Sequence, residues 1–235
     1  QAVEIRAGLA AALGLGDPRR SWHTDRGPIL RISNWLVRVS LALGKMGEDL
    51  CVLSQSDVAE VSLGAAGGSS TMPQKQNPVA PSAMVALARY VAGLAGTLDL
   101  AAMQKDQRDG AAWFTEWMTL PQLALATASC LQTAKKLASQ LTPRPDTMTA
   151  TLNLSGGTIH AEALTFALAT QMPRPEAQAA VKMLCQTALT SGRSLPDLAG
   201  EKWPETDFSG LFQGADGSGL ATAEAKAFAD RVRHI

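Results

Sequence analysis

The chain is short of aromatic residues, of cysteine and of any excess charge, and each shortage removes a class of protein. Aromatic side chains make up 5% of the 235 residues, while 46% are hydrophobic and dominated by Ala and Leu. With few β-branched runs, that balance favours helices over sheet, and an all-α protein is expected. The length suffices for a substantial core in one large or two modest domains.

Lys plus Arg and Asp plus Glu number 21 each. No cationic surplus follows a phosphate backbone or an anionic bilayer, so neither nucleic acid nor membrane is an expected partner. An anionic ligand must instead be met by a local cluster. Three cysteines, Cys51, Cys130 and Cys185, lie far apart and do not make a disulfide framework, which fits a reducing cytoplasm. The most apolar stretch, Val85 to Met103, is broken by Arg89 and Asp99, and no charged-then-apolar leader is present. Of the histidines, His23, His160 and His234, none is paired at metal-ligand spacing, so no metal is expected. His160 reads as a packed helix residue and His234 as a solvated end. The chain opens at Gln1 directly in apolar periodicity (Val3, Ala7, Leu9, Leu13), which reads as a start in mid-element and a missing N-terminal region.

Long helices are the main content. Ser33 is a candidate N-cap, and apolar residues from Leu36 to Val58 keep three-to-four spacing to about Val61, a helix of ~40 Å. A second helix is expected from Asn77-Pro78 to about Met103, and a third from about Trp113 to Leu141 with Pro121 near a kink. Thr142-Pro143-Arg144-Pro145 breaks the pattern, which places a boundary between a bundle domain, 1–141, and a smaller helical domain, 142–235. Shorter helices are expected there near 158–171, 175–190 and 221–233. Trp35, Trp113, Trp117 and the methionines fall at helical spacing and read as core.

Between the first two long helices, residues 62–76 lose periodicity and gather glycines, hydroxyls and one lysine, as a closing lid would. A plain connector has the same composition. The spacing is wrong for a phosphate-binding P-loop. The segment Gly68-Ser69-Ser70-Thr71-Met72-Pro73-Gln74-Lys75-Gln76-Asn77-Pro78, however, fills every defining position of the Gly-Ser-Ser-x-Met-Pro-x-Lys-x-Asn-Pro signature of the aspartase/fumarase superfamily. The chain thus resembles that superfamily in its strongest motif and in its helical layout. The resemblance implies that Ser69 exchanges a proton on the carbon beside a carboxylate, with Ser70, Lys75 and Asn77 binding substrate. A serine is a poor base unless its alkoxide is stabilised, and Lys75 with loop amides in a closed site would supply that stabilisation.

Two further segments are similar to the 3-carboxy-cis,cis-muconate cycloisomerase branch. Trp22-His23-Thr24-Asp25-Arg26 matches its Trp-His-Thr-x-Arg, and Arg108 through Trp113, Glu116 and Trp117 matches its Arg-x-x-x-x-Trp-x-x-Glu-Trp. Arg108 then falls at a carboxylate-binding position, with His23 and Arg26 as further substrate contacts. A helix-entry ion pair for Arg108 and an ordinary loop pair for His23 and Arg26 are the plain alternatives. The chain departs from many relatives in having Asp106-Gln107, not His-Glu, before Arg108. Arg174-Pro175-Glu176-Ala177-Gln178 also matches the branch, as scaffold.

The resemblance implies lactonisation of a small tricarboxylate in aromatic (protocatechuate) degradation, without cofactor or metal, by a cytoplasmic homotetramer whose active sites are shared between subunits. A fumarate-releasing lyase of the adenylosuccinate or argininosuccinate type shares the Ser69 chemistry. A non-catalytic helical assembly module keeps the bundle without it.

Overall fold

The computed structural model describes residues 1–64, 67–68, 76–212 and 219–233. The chain divides into two compact units, Gln1–Arg144 and Pro145–Ile235. The first holds helices α1 (Ala2–Ala12), α2 (Gly27–Leu53), α3 (Val79–Ala101) and α4 (Gly110–Gln140), with two-residue strands β1 (Val61–Ser62), β2 (Gly67–Gly68), β3 (Gln76–Asn77) and β4 (Thr142–Pro143). The second holds α5 (Pro145–Leu154), a 3-10 turn at Thr158–His160, α6 (Ala161–Leu168), α7 (Arg174–Ser191), α8 (Leu195–Lys202), α9 (Ser209–Phe212) and α10 (Ala221–Arg233). The helical class expected from composition is the one observed.

Helices α2, α3 and α4 pack as a three-helix group. The stripe that α2 buries is made of small residues, Ser33, Ser40, Gly44 and Gly47, followed by Leu50. Small residues let α3 approach closely: a Cβ on Gly44 would stand 2.6 Å from the Ala88 Cβ, and one on Gly47 would stand 2.9 Å from the Pro81 carbonyl oxygen. On α3 the buried positions Pro81, Met84, Val85, Ala88 and Val91 recur at three-to-four spacing. By length and composition α3 could cross a membrane. Here its outer face carries Arg89, ion-paired to Glu48 at 2.8 Å, and Tyr90, which donates to Gln122 Oε1 at 2.5 Å. Helix α4 returns antiparallel, with the Cys130 Sγ 3.8 Å from the Met84 carbonyl. Between α2 and α4 the buried Ser40 hydroxyl donates to Thr127 Oγ1 at 3.0 Å, which in turn donates to the Leu123 carbonyl. Both polar groups are thereby satisfied.

Several helix ends differ from the sequence expectation for local reasons. Helix α2 starts at Gly27 because Pro28 presets the first turn, so Ser33 is a buried interior residue and not a cap. It stops at Leu53, well before Val61. Ala59 there takes a positive φ of 50°, and Val61 and Ser62 pair with Pro143 and Thr142. The Arg144 N–H also reaches the Glu60 carbonyl, so residues 142–144 belong to the first unit. Helix α4 begins at Gly110, three residues before Trp113, because Asp109 caps it. Trp35 and Trp117 are not core: they are 62% and 58% exposed and lie off the buried stripes of α2 and α4. Met84 is buried, whereas Met103, Met118 and Met183 are exposed.

The second unit has its own core of Leu164, Leu168, Val181, Leu184, Leu195 and Phe208. Helices α5 and α8 were not expected; Ser194 caps α8, accepting from the Asp197 N–H at 3.2 Å. His160 is half-buried, edge-on to Phe212 at 5.8 Å. The three cysteines are free, and burial pushes the Cys130 and Cys185 thiols up.

Candidate active site

Ser69, Ser70 and Lys75 lie outside the described residues, as does His234. The stems that flank the motif are described. Gly67 pairs with Asn77 and Gly68 with Gln76 in an antiparallel register, so the two ends of the segment are joined at its neck. Asn77 is half-buried and lines a cavity of about 430 Å³ together with Leu63, Val79, Lys136 and Gln140. Cavities of that size suit small organic ligands. Lys136 is exposed and forms no ion pair among the described residues.

The other predicted residues gather at the opposite end of the bundle. Asp109 receives N–H donations from Lys105 at 2.9 Å, Ala111 at 3.0 Å and Ala112 at 3.1 Å. These donors, the Lys105 amide foremost, hold its carboxyl below the usual carboxylate range. Arg108, immediately before this cap, is exposed and makes no ion pair among the described residues.

Opposite α4 stands the segment ahead of α2. The Arg26 guanidinium forks onto Glu116, Nε to Oε2 at 2.8 Å and Nη2 to Oε1 at 2.5 Å, with side-chain exposures of only 17% and 7%. His23 is exposed, with its Nδ1 2.7 Å from Ser21 Oγ and its ring 6.1 Å from that of Trp113. Trp113 stacks in turn on Trp117 at 6.2 Å. Asp25 accepts from the Gly27 N–H at 3.1 Å and from Arg20 at 2.5 Å. The Gly27 amide first, and Arg20 next, hold its carboxyl low. A cup of about 170 Å³ lined by Trp22, His23, Asp25, Arg26, Pro28 and Ile29 lies at this end.

The structure therefore joins His23 and Arg26 to the start of α4, and places Asn77 beside its last two turns. Helix α4 has 31 residues. At 1.5 Å per residue, on the order of 35–40 Å separates Asn77 from Arg108 within one chain. Sequence reasoning left Glu116 without a role. The signal was available: it falls in phase with Ala112, Thr119 and Leu123, so it is buried, and a buried carboxylate requires a cation or donors. Among the described residues no group of three or more His, Cys, Asp or Glu side chains is placed to hold a metal.

Residues 3–93 match a family described as lyase. The chain is 38% identical over 205 residues to a 3-carboxy-cis,cis-muconate cycloisomerase from Pseudomonas aeruginosa, covering 86% of this chain and 45% of that protein. It is 31% identical over 188 residues to a nitrosuccinate lyase from Streptomyces davaonensis, covering 79% and 40%. The crystal structure of 3-carboxy-cis,cis-muconate lactonizing enzyme from Pseudomonas putida superposes with a TM-score of 0.85 at 30% identity, over 97% of this chain and 52% of that one. The chain thus spans about half the length of the relatives it matches. With the loop signature, the helical layout and these similarities in agreement, the chain carries the signature of the aspartase/fumarase superfamily and is similar to lyases of that kind, 3-carboxy-cis,cis-muconate cycloisomerases among them.

Proposed function

We propose that this chain carries the loop-bearing part of the active site of a 3-carboxy-cis,cis-muconate cycloisomerase. One carboxylate oxygen of the substrate adds to the conjugated double bond and closes a lactone ring. The displaced electron pair passes to the carbon beside a carboxylate, and Ser69 delivers a proton there. Charge that builds up on that carboxylate before protonation is met by Lys75 and Asn77, with Ser70 binding beside them. The observation that carries the reading is the neck of the signature segment: its stems pair, and Asn77 at its end lines a ligand-sized cavity.

Arg108 and His23 are the remaining carboxylate contacts in this reading, with Arg26 serving the same end of the molecule. A small tricarboxylate does not span the distance between Asn77 and Arg108. The two ends meet at one substrate only if different subunits supply them, which supports a homotetramer with shared active sites. Large apolar side chains on the outer faces of the bundle helices, Trp35, Leu100 and Leu125 among them, support an assembly of that kind. Free cysteines fit a cytoplasmic setting.

The test is turnover of 3-carboxy-cis,cis-muconate by the full-length protein containing this chain, followed by loss of diene absorbance and by NMR of the product. Lactone is expected, and Ser69→Ala should lower kcat by about 10²–10⁴-fold, the range of a lost general acid. Fumarate release from a succinyl adduct without lactonisation would instead assign a lyase. Undiminished turnover by Ser69→Ala would remove the proton-transfer assignment.

A further inference from the structure

Arg26 was expected to contact substrate, yet its guanidinium is already engaged. Both Nε and Nη2 are committed to Glu116 in a forked pair that joins residues 90 positions apart. A second tether runs beside it: His23 lies three residues before Arg26, Trp113 lies three before Glu116, and their rings meet at 6.1 Å. Residues three apart on a helix share a face, so the two contacts form one line along the first turns of α4. Asp25 closes the other side by accepting from Arg20 and from the Gly27 amide at the start of α2. Burying a charge pair this deeply adds little stability relative to apolar residues of the same volume, and its use is to fix geometry.

We infer that Glu116 is a positioning residue: by holding Arg26 it fixes the Trp22–Arg26 segment against α4 and sets where His23 and Arg108 meet a substrate carboxylate. The inference rests on the proposed function for the carboxylate, while the clamp itself stands on the contacts above. Arg26 is then a structural cation, and the side chains that face substrate at this end are His23 and Arg108.

The experiment compares Glu116→Gln and Arg26→Lys with wild type in the full-length protein, by steady-state kinetics on 3-carboxy-cis,cis-muconate and by hydrogen exchange of the Gly27 and Leu30 amides, which donate to Asp25 and to the Arg26 carbonyl. Each variant should speed exchange of these two amides on the order of tenfold while amides further inside α2–α4 keep their protection. KM should rise on the order of tenfold with kcat little changed, as expected when a binding group is misplaced. Glu116→Gln decides the sign. It releases the Arg26 charge, so a KM that falls or holds steady would make Arg26 a substrate contact and overturn the inference. Unchanged exchange of the Gly27 and Leu30 amides in both variants would overturn it as well. If wild type does not turn over the substrate, the proposed function fails and the exchange result alone judges the clamp. Should Glu116→Gln fail to fold, Arg26→Lys carries the exchange readout, which then judges the clamp.

Discussion

At the residue scale, Asp109 links a local rule to a pH dependence. Its carboxylate accepts from the Lys105, Ala111 and Ala112 amides, which lowers its folded pKa below the ordinary value. The charged form is therefore favoured by folding. Its contribution is complete above the unfolded value of about 4 and is lost as pH falls through the lowered folded value. Asn caps a helix about as well as Asp without titrating there. Asp109→Asn should accordingly flatten the acid limb of the melting-temperature profile below about pH 4 while leaving neutral stability close to wild type. An unchanged acid limb would remove Asp109 from the account. Residues of this kind were only partly legible in the sequence. The contiguous signature 68–78 is recognisable as a motif because every member is local. The Arg26–Glu116 pair was missed because its partners are 90 residues apart and the motif gives each an unrelated context.

At the element scale, the glycines of the bundle fall into two kinds that helix propensity alone does not separate. A Cβ on Gly47 would meet the Pro81 carbonyl oxygen at 2.9 Å and the Val85 side chain at 3.1 Å, while one on Gly93 meets nothing within 4 Å. Gly47→Ala should destabilise by about 1–3 kcal/mol through overpacking, despite the propensity gain. Gly93→Ala, at an exposed helical position, should stabilise by about 0.5–1 kcal/mol. Urea denaturation of the two variants checks both signs. The small-residue stripe of α2 explains why Trp35 is not core, and on α4 Trp117 lies off the buried positions Ala112, Glu116, Thr119 and Leu123. Helical spacing identifies a face, but close approach of two backbones decides which face is buried. The second and third long helices were legible to within a few residues because apolar periodicity is a local property. The end of α2 was not, because the pairing of Val61–Ser62 with Thr142–Pro143 is made some eighty residues away in the chain.

At the scale of the whole molecule, one geometric fact organises the function. Asn77 lies beside the last turns of α4, and Arg108 lies before its first residue. If the proposed function holds, with Asn77 and Arg108 both meeting one small substrate, opposite ends of different subunits must supply them. The most direct measurement of that claim is complementation between two inactive variants of the full-length protein, Ser69→Ala and Arg108→Ala, dissociated, mixed and reassembled. Each alone should retain little cycloisomerase activity. In the mixture, random assortment should place an intact loop and an intact arginine together in about a quarter of the sites and return activity to about that fraction of wild type. A mixture no more active than the separate variants would contradict a site shared in this way.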